Sequence, residues 1–78
     1  MNASSSLFDD VVRATRLVDL IAPFTVSRIL VGAGVSPHEL TREDLAEALP
    51  HLERGLAIYL RDDELTDALA DIRILAAG

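Results

Sequence analysis

Apolar residues recur every three or four positions along almost the whole of this chain, and nowhere do they alternate with polar residues as in a strand. The clearest run lies near the C-terminus: Leu65, Ala68, Leu69, Ile72, Leu75 and Ala76. This spacing places apolar side chains on one face of an α-helix. No repeat and no linker divides the 78 residues. The pattern therefore predicts a single small all-α domain over residues 1–78.

Capping signals and prolines divide this pattern into a compact bundle of four main helices. Pro23 and Pro37 each suit the first turn of a helix, and Gly34 supplies a left-handed residue that ends one. Thr41 is a favourable N-terminal cap. The expected elements are four helices over residues 7–21, 23–33, 42–60 and 63–76, with a short helical turn near 37–40. We expect residues 1–5 to be disordered.

The third predicted helix contains a proline near its middle. Its apolar stripe keeps the same helical phase on both sides of Pro50, which favours one kinked helix over two separate ones. A proline inside a helix removes the bond to the carbonyl four residues earlier, here that of Ala46, and costs about 3 kcal/mol. Leu49, the residue before the proline, is also a legitimate helix end. The sequence leaves both a kink and a break at Pro50 open.

Charge and composition limit the classes of partner. Half of the residues are apolar, yet the formal net charge is -6, and the seven basic residues are all Arg and dispersed. We interpret the use of Arg without Lys as a trait of a GC-rich bacterial genome. Dispersed cations on an acidic chain give little support for binding nucleic acid or an anionic membrane. No run approaches the roughly 18 apolar residues of a membrane span, so we expect a cytoplasmic protein.

Few residues suggest chemistry. Glu47 and His51 have a spacing that allows metal binding on one helical face, but no further ligand completes the set. Asp62, Asp63 and Glu64 lack the ligand spacing and the glycine of a calcium loop, and they are better explained as the cap of the last helix. The chain contains no Cys. We therefore predict no enzymatic activity, no metal site and no cofactor.

Several apolar residues lie off the main helical stripes: Leu17, Leu20, Val31, Ile58 and Ile74. A domain of this size buries only about 60% of its unfolded surface and often relies on a partner. We therefore predict a non-enzymatic protein–protein interaction or oligomerisation module, with a bacterial regulatory or adaptor role and a homodimer as the first expectation. The five side chains are the predicted contact surface, unless they only widen the buried faces. Acidic residues around them would select a partner with a basic rim.

Two other functions remain open. The string Thr25-Val26-Ser27-Arg28-Ile29-Leu30, with Val35-Ser36 and Thr41-Arg42 after it, resembles the recognition helix and following segment of lactose-repressor-type helix-turn-helix proteins. The resemblance implies a DNA-binding regulator that uses the second helix, although Ala22-Pro23-Phe24 replaces the glycine-containing turn of that family. The other alternative is an acidic inhibitor or antitoxin-like protein that blocks a basic partner through salt-sensitive contacts.

Overall fold

The computed structural model describes residues 7–78. It contains α1 over Leu7–Ala14, α2 over Ala22–Gly32, α3 over Arg42–Leu56, α4 over Asp62–Ala77 and a 3-10 turn over Pro37–Glu39. The predicted all-α bundle of four helices is confirmed, and both ends of α2 and α4 lie within one residue of the expected positions. The prediction of disorder over residues 1–5 falls outside the described residues.

All four helices contribute to one core. Its buried apolar members are Val11, Val26, Leu30, Val35, Leu45, Ala48, Leu52, Leu56 and Ile72. The most extensive packing is between α3 and α4, while α1 lies against α4 and α2, and α2 lies against α3. Fully burying one such Leu, Ile or Val contributes about 1.5–3 kcal/mol. Within residues 7–78, none of the helices combines the length and apolar content that crossing a membrane requires.

The first helix is shorter than the sequence predicts. The expected helix over 7–21 ends at Ala14, and residues 15–21 form a connection that leads into α2. The side chain of Val18, which the helical pattern assigns to the buried face, is exposed. The prediction for this end of α1 is wrong because the apolar periodicity continues beyond the last helical residue.

The neighbouring residues Thr15 and Arg16 explain where α1 ends. The Thr15 hydroxyl donates to the Val12 carbonyl at 2.7 Å and accepts from the Leu17 N–H at 3.3 Å. In a Schellman helix end, the Leu17 N–H would donate directly to the Val12 carbonyl. Here the Thr15 hydroxyl lies between these two groups and bonds to both. Arg16 has a left-handed backbone with a φ of 61°, which costs on the order of 1 kcal/mol for a residue other than glycine. Its guanidinium bonds the Asp71 carboxylate on α4 at 2.9 Å.

The caps of α2 and α3 follow their sequence signals. Gly34 has a φ of 81°, and the N–H of Val35 beyond it donates to the Leu30 carbonyl at 2.9 Å. This is a Schellman helix end, in which glycine relieves the strain of the left-handed position. At the start of α3, the Thr41 hydroxyl accepts the Asp44 N–H at 3.0 Å. Both caps confirm the predicted boundaries at these two positions.

The third helix runs through Pro50 without a break. The prediction of one helix on both sides of the proline is confirmed, and the alternative of two separate helices is wrong. Pro50 and Ala46 both lie on the exposed side of α3, where water is available to the carbonyl that loses its helical partner. The helix ends at Leu56 rather than at the expected residue 60, and residues 57–60 continue as a turn.

Candidate interaction surface

The structure exposes four of the five predicted contact residues. Leu20 and Ile58 are 80% and 79% exposed, and Val31 and Ile74 are also exposed. Leu17 packs partly against the core, so this residue widens a buried face, as the alternative interpretation holds. The four exposed side chains have the accessibility that a contact surface requires, and their binding role stays a prediction.

Helix α2 has a buried face and an apolar exposed face. Val26 and Leu30 belong to the core. Phe24, which is 72% exposed, and Val31 lie on the opposite side with Arg28 between them. These residues and Ile21, at the start of the helix, make up what we call the α2 face: Ile21, Phe24, Arg28 and Val31. Sequence reasoning missed Phe24, although its spacing of seven residues from Val31 places both on one side of a helix.

A groove of about 230 Å³ runs beside the α2 face. Its lining is Thr25, Arg28, Ile29, Gly55, Ile58 and Tyr59. Helices α2 and α3 approach closely at the groove because residue 55 of α3 is glycine. A Cβ atom at this position would lie 2.6 Å from the Cδ1 atom of Ile29 on α2. The volume is below the roughly 300–1,000 Å³ of small-molecule sites. The groove therefore fits a side chain of a partner better than a whole small ligand.

Two polar side chains in the groove have no partner among residues 7–78. Thr25 is only 9% exposed, yet its hydroxyl makes no hydrogen bond with the described residues. Arg28 makes no ion pair or hydrogen bond with them either. Leaving a buried polar group unsatisfied costs about 1–3 kcal/mol, so such groups are usually satisfied by protein, water or a ligand. The groove thus offers a hydroxyl and a cation to whatever covers it.

The lining of the groove carries no carboxylate. Arg28 is the one charged residue in that lining. The nearest acids along the chain lie outside the lining, at Asp19, Glu39, Glu53 and Asp62. The expectation that acidic residues flank the predicted contact residues stays a prediction, and the lining of this groove itself holds a cation and no acid.

Ile74 lies apart from the groove, between α1 and α4. The hollow beside it is lined by Asp10, Arg13, Ala14, Asp71, Ile74 and Leu75. The charged groups there already have partners. Arg13 lies 3.8 Å from Asp10, and Asp71 pairs with Arg16 at 2.9 Å. This second region therefore offers a partner fewer open polar groups than the groove does.

The string that resembles a DNA-recognition helix lies on α2. Of its three polar residues, Thr25 is buried, Ser27 is half-buried and Arg28 is exposed. Across the described part of the chain, no three His, Asp or Glu side chains are grouped closely enough to hold a metal ion. Comparison with models of known protein families, with curated proteins and with solved structures found no match.

Proposed function

We propose that this protein is a non-enzymatic protein-interaction module that binds its partner through the α2 face and the adjoining groove. The observation that supports the proposal is the concentration of exposed large apolar side chains in one part of the molecule. Seven of the eight in residues 7–78 lie in α2, in the connection before it or in the turn after α3. They are Val18, Leu20, Ile21, Phe24, Val31, Ile58 and Tyr59.

The extent and chemistry of this surface suit a protein partner. Contiguous exposed apolar patches mark interaction sites on otherwise polar surfaces. Five of the seven side chains are more than 60% exposed: Val18, Leu20, Phe24, Val31 and Ile58. Phe24, Arg28 and Tyr59 are of residue types enriched in interfaces, and Tyr and Arg are prominent among those that dominate binding energy.

A peptide-display selection against the full chain tests the proposal. Selected peptides are measured by fluorescence anisotropy against the wild type and against a Phe24→Ser/Ile58→Ser double variant. We expect the double variant to bind at least about tenfold more weakly, because both apolar contacts are lost. The comparison variant is Ile74→Ser, which removes a similarly exposed side chain outside the α2 face and the groove. We expect it to bind as the wild type does, whereas a loss of binding would favour the wider set of contact residues predicted from the sequence. Equal binding by the double variant would contradict the proposal.

Salt dependence separates this function from the two alternatives. An apolar contact keeps its partner when salt is raised to about 0.5 M, whereas an acidic inhibitor releases a basic partner as its charges are screened. DNA binding through α2 would also weaken steeply with salt. Retardation of DNA at low salt, with Arg28→Gln as the comparison, tests that alternative directly.

Self-association is tested separately, because a homodimer is the oligomeric state that the sequence predicts. Sedimentation velocity over a concentration series is expected to show a mass that rises with concentration if a second copy occupies the α2 face. The Phe24→Ser/Ile58→Ser variant would then stay monomeric. A wild type that is monomeric throughout makes a different protein the partner. The regulatory or adaptor role and the bacterial, cytoplasmic setting stay predictions from the sequence.

A further inference from the structure

We infer that the partner presents an acidic apolar segment, in which a carboxylate pairs with Arg28 while a neighbouring apolar side chain enters the groove beside Ile58. The inference rests on the proposed function and goes further by naming the chemistry of the partner. It depends on where Arg28 lies, on what surrounds it and on the unsatisfied hydroxyl of Thr25.

Arg28 lies within the apolar surface rather than at its edge. Phe24 is four residues before it and Val31 three residues after it on α2, so all three share one side of the helix. Ile58 and Tyr59 line the same groove as Arg28. Any protein that covers these apolar side chains must therefore cover the guanidinium as well.

Covering an arginine without a counter-ion is unfavourable, because the guanidinium loses hydration and gains nothing in return. Within this chain, Arg28 has no partner among the described residues. None of the residues that line the groove carries a carboxylate. A partner can supply the counter-ion, and a carboxylate matches the two parallel N–H donors of a guanidinium.

Thr25 adds an independent requirement for acceptor atoms. Its side chain lines the groove at 9% exposure and makes no hydrogen bond with residues 7–78. A hydroxyl can donate one hydrogen bond and accept others. Tyr59 lines the same groove and carries a third donor group, its hydroxyl. A segment with carboxylate and carbonyl oxygens is the polypeptide chemistry that satisfies them.

The same charges disfavour a second copy docked symmetrically on this surface. A symmetric dimer brings the same patch of each copy together, so each Arg28 would face a surface that also contains Arg28. Asp19 lies between the exposed Val18 and Leu20 in the sequence and is not part of the groove lining. A partner with acidic residues avoids this repulsion and is steered towards the cations.

The test uses the selected peptides. It removes charge from the peptide or from the protein by substitutions that keep the size of the side chain similar. We expect them to combine apolar residues with Asp or Glu. Replacing the acid by Asn or Gln is expected to weaken binding to the wild type at least tenfold, and to leave binding to an Arg28→Gln variant unchanged. Arg73→Gln, which removes an exposed arginine on α4, is the matched control and is expected to bind as the wild type does. Circular dichroism verifies that each variant is folded.

The possible outcomes separate this inference from the proposed function. Selected peptides that lack acids, or that bind the Arg28→Gln variant as tightly as the wild type, would contradict the inference that the partner is acidic. If the same peptides bind the Phe24→Ser/Ile58→Ser variant more weakly, the proposed docking surface is still supported. Peptides insensitive to both sets of substitutions would overturn both. A dimer that dissociates in the Phe24→Ser/Ile58→Ser variant would identify a second copy as the occupant and would likewise overturn the inference.

Discussion

A threonine and an arginine lie close together at two places in this fold, and the two places differ in whether these side chains have polar partners. At the end of α1, Thr15 is fully buried and its hydroxyl makes two hydrogen bonds, while Arg16 pairs with an acid on α4. On α2, Thr25 is nearly as buried and makes none with the described residues, and Arg28 has no ion pair with them. Thr15 and Arg16 therefore stabilise the end of α1. Thr25 and Arg28 leave a hydroxyl and a guanidinium without partners among the described residues, next to exposed apolar side chains.

The contrast shows that burial alone does not separate polar residues with a partner in the fold from polar residues that have none among residues 7–78. Both threonines are buried, so a list of buried residues treats them alike. They differ in whether a hydrogen-bond partner lies within reach, and that difference decides the sign of the contribution to stability. Four paired substitutions, two of which compare these two regions directly, test the account from the largest expected effect to the smallest.

The two sides of α2 should respond differently to truncation. Leu30→Ala is expected to lower the free energy of unfolding by about 2–5 kcal/mol, because it leaves a cavity in the core. Val31→Ala, one residue further along and exposed, is expected to change it by less than about 0.5 kcal/mol. Urea unfolding followed by circular dichroism measures both. Similar losses at the two positions would show that the α2 face is part of the core.

The two buried threonines should differ in the same way. Thr15→Val keeps the shape but removes the hydroxyl, which leaves the Val12 carbonyl and the Leu17 N–H without their bridge, at a cost of about 1–3 kcal/mol. Thr25→Val removes a hydroxyl that has no partner in residues 7–78, so stability is expected to stay within about 0.5 kcal/mol or to rise. Chemical unfolding compares the two variants with the wild type, and an equal loss would contradict the contrast.

Two glycine substitutions should have different effects. At Gly55 an added Cβ would lie 2.6 Å from Cδ1 and 2.7 Å from Cγ1 of the half-buried Ile29. These atoms are the movable end of a side chain that borders the groove, so their displacement is expected to offset the roughly 0.5–1 kcal/mol that alanine gains over glycine in a helix. At Gly32 nothing lies within 4 Å, so Gly32→Ala is expected to raise the melting temperature. A rise for Gly55→Ala too would mean that the groove is wider than described.

The smallest effect is expected at the paired arginine. Arg16 and Asp71 are each about half exposed, so a double-mutant cycle with Arg16→Gln and Asp71→Asn should give a coupling of about 0.2–1 kcal/mol. Arg28→Gln should leave the free energy of unfolding unchanged, because Arg28 has no partner among the described residues to lose. A measurable decrease in the free energy of unfolding of Arg28→Gln would show that Arg28 stabilises the fold, which would contradict the contrast with Arg16.

The parts of the fold that depend on local signals were predictable from the sequence. The cap at Thr41 and the left-handed Gly34 each involve residues close together in the chain, so spacing alone locates them. The early end of α1 was not predictable in this way. The left-handed Arg16 there pairs with Asp71, which lies 55 residues away in the sequence, and the apolar pattern gives no sign of that contact.

The exposed apolar side chains of the candidate surface were predictable only in part. Off-stripe spacing identified Val31 and Ile58 as candidates, and the structure exposes both. The same spacing also included Leu17, which packs partly against the core because the connection after α1 turns this side chain back towards it. The groove depends on how α2 packs on α3 at Gly55, which spacing within one helix does not reveal.

Chemical-shift mapping of a selected peptide on the uniformly ¹⁵N-labelled chain tests most directly that α2 and the turn after α3 form the docking surface. We predict that the largest amide shifts fall within residues 20–31 and 55–60. Shifts concentrated instead around Ile74, between α1 and α4, would contradict the proposed surface.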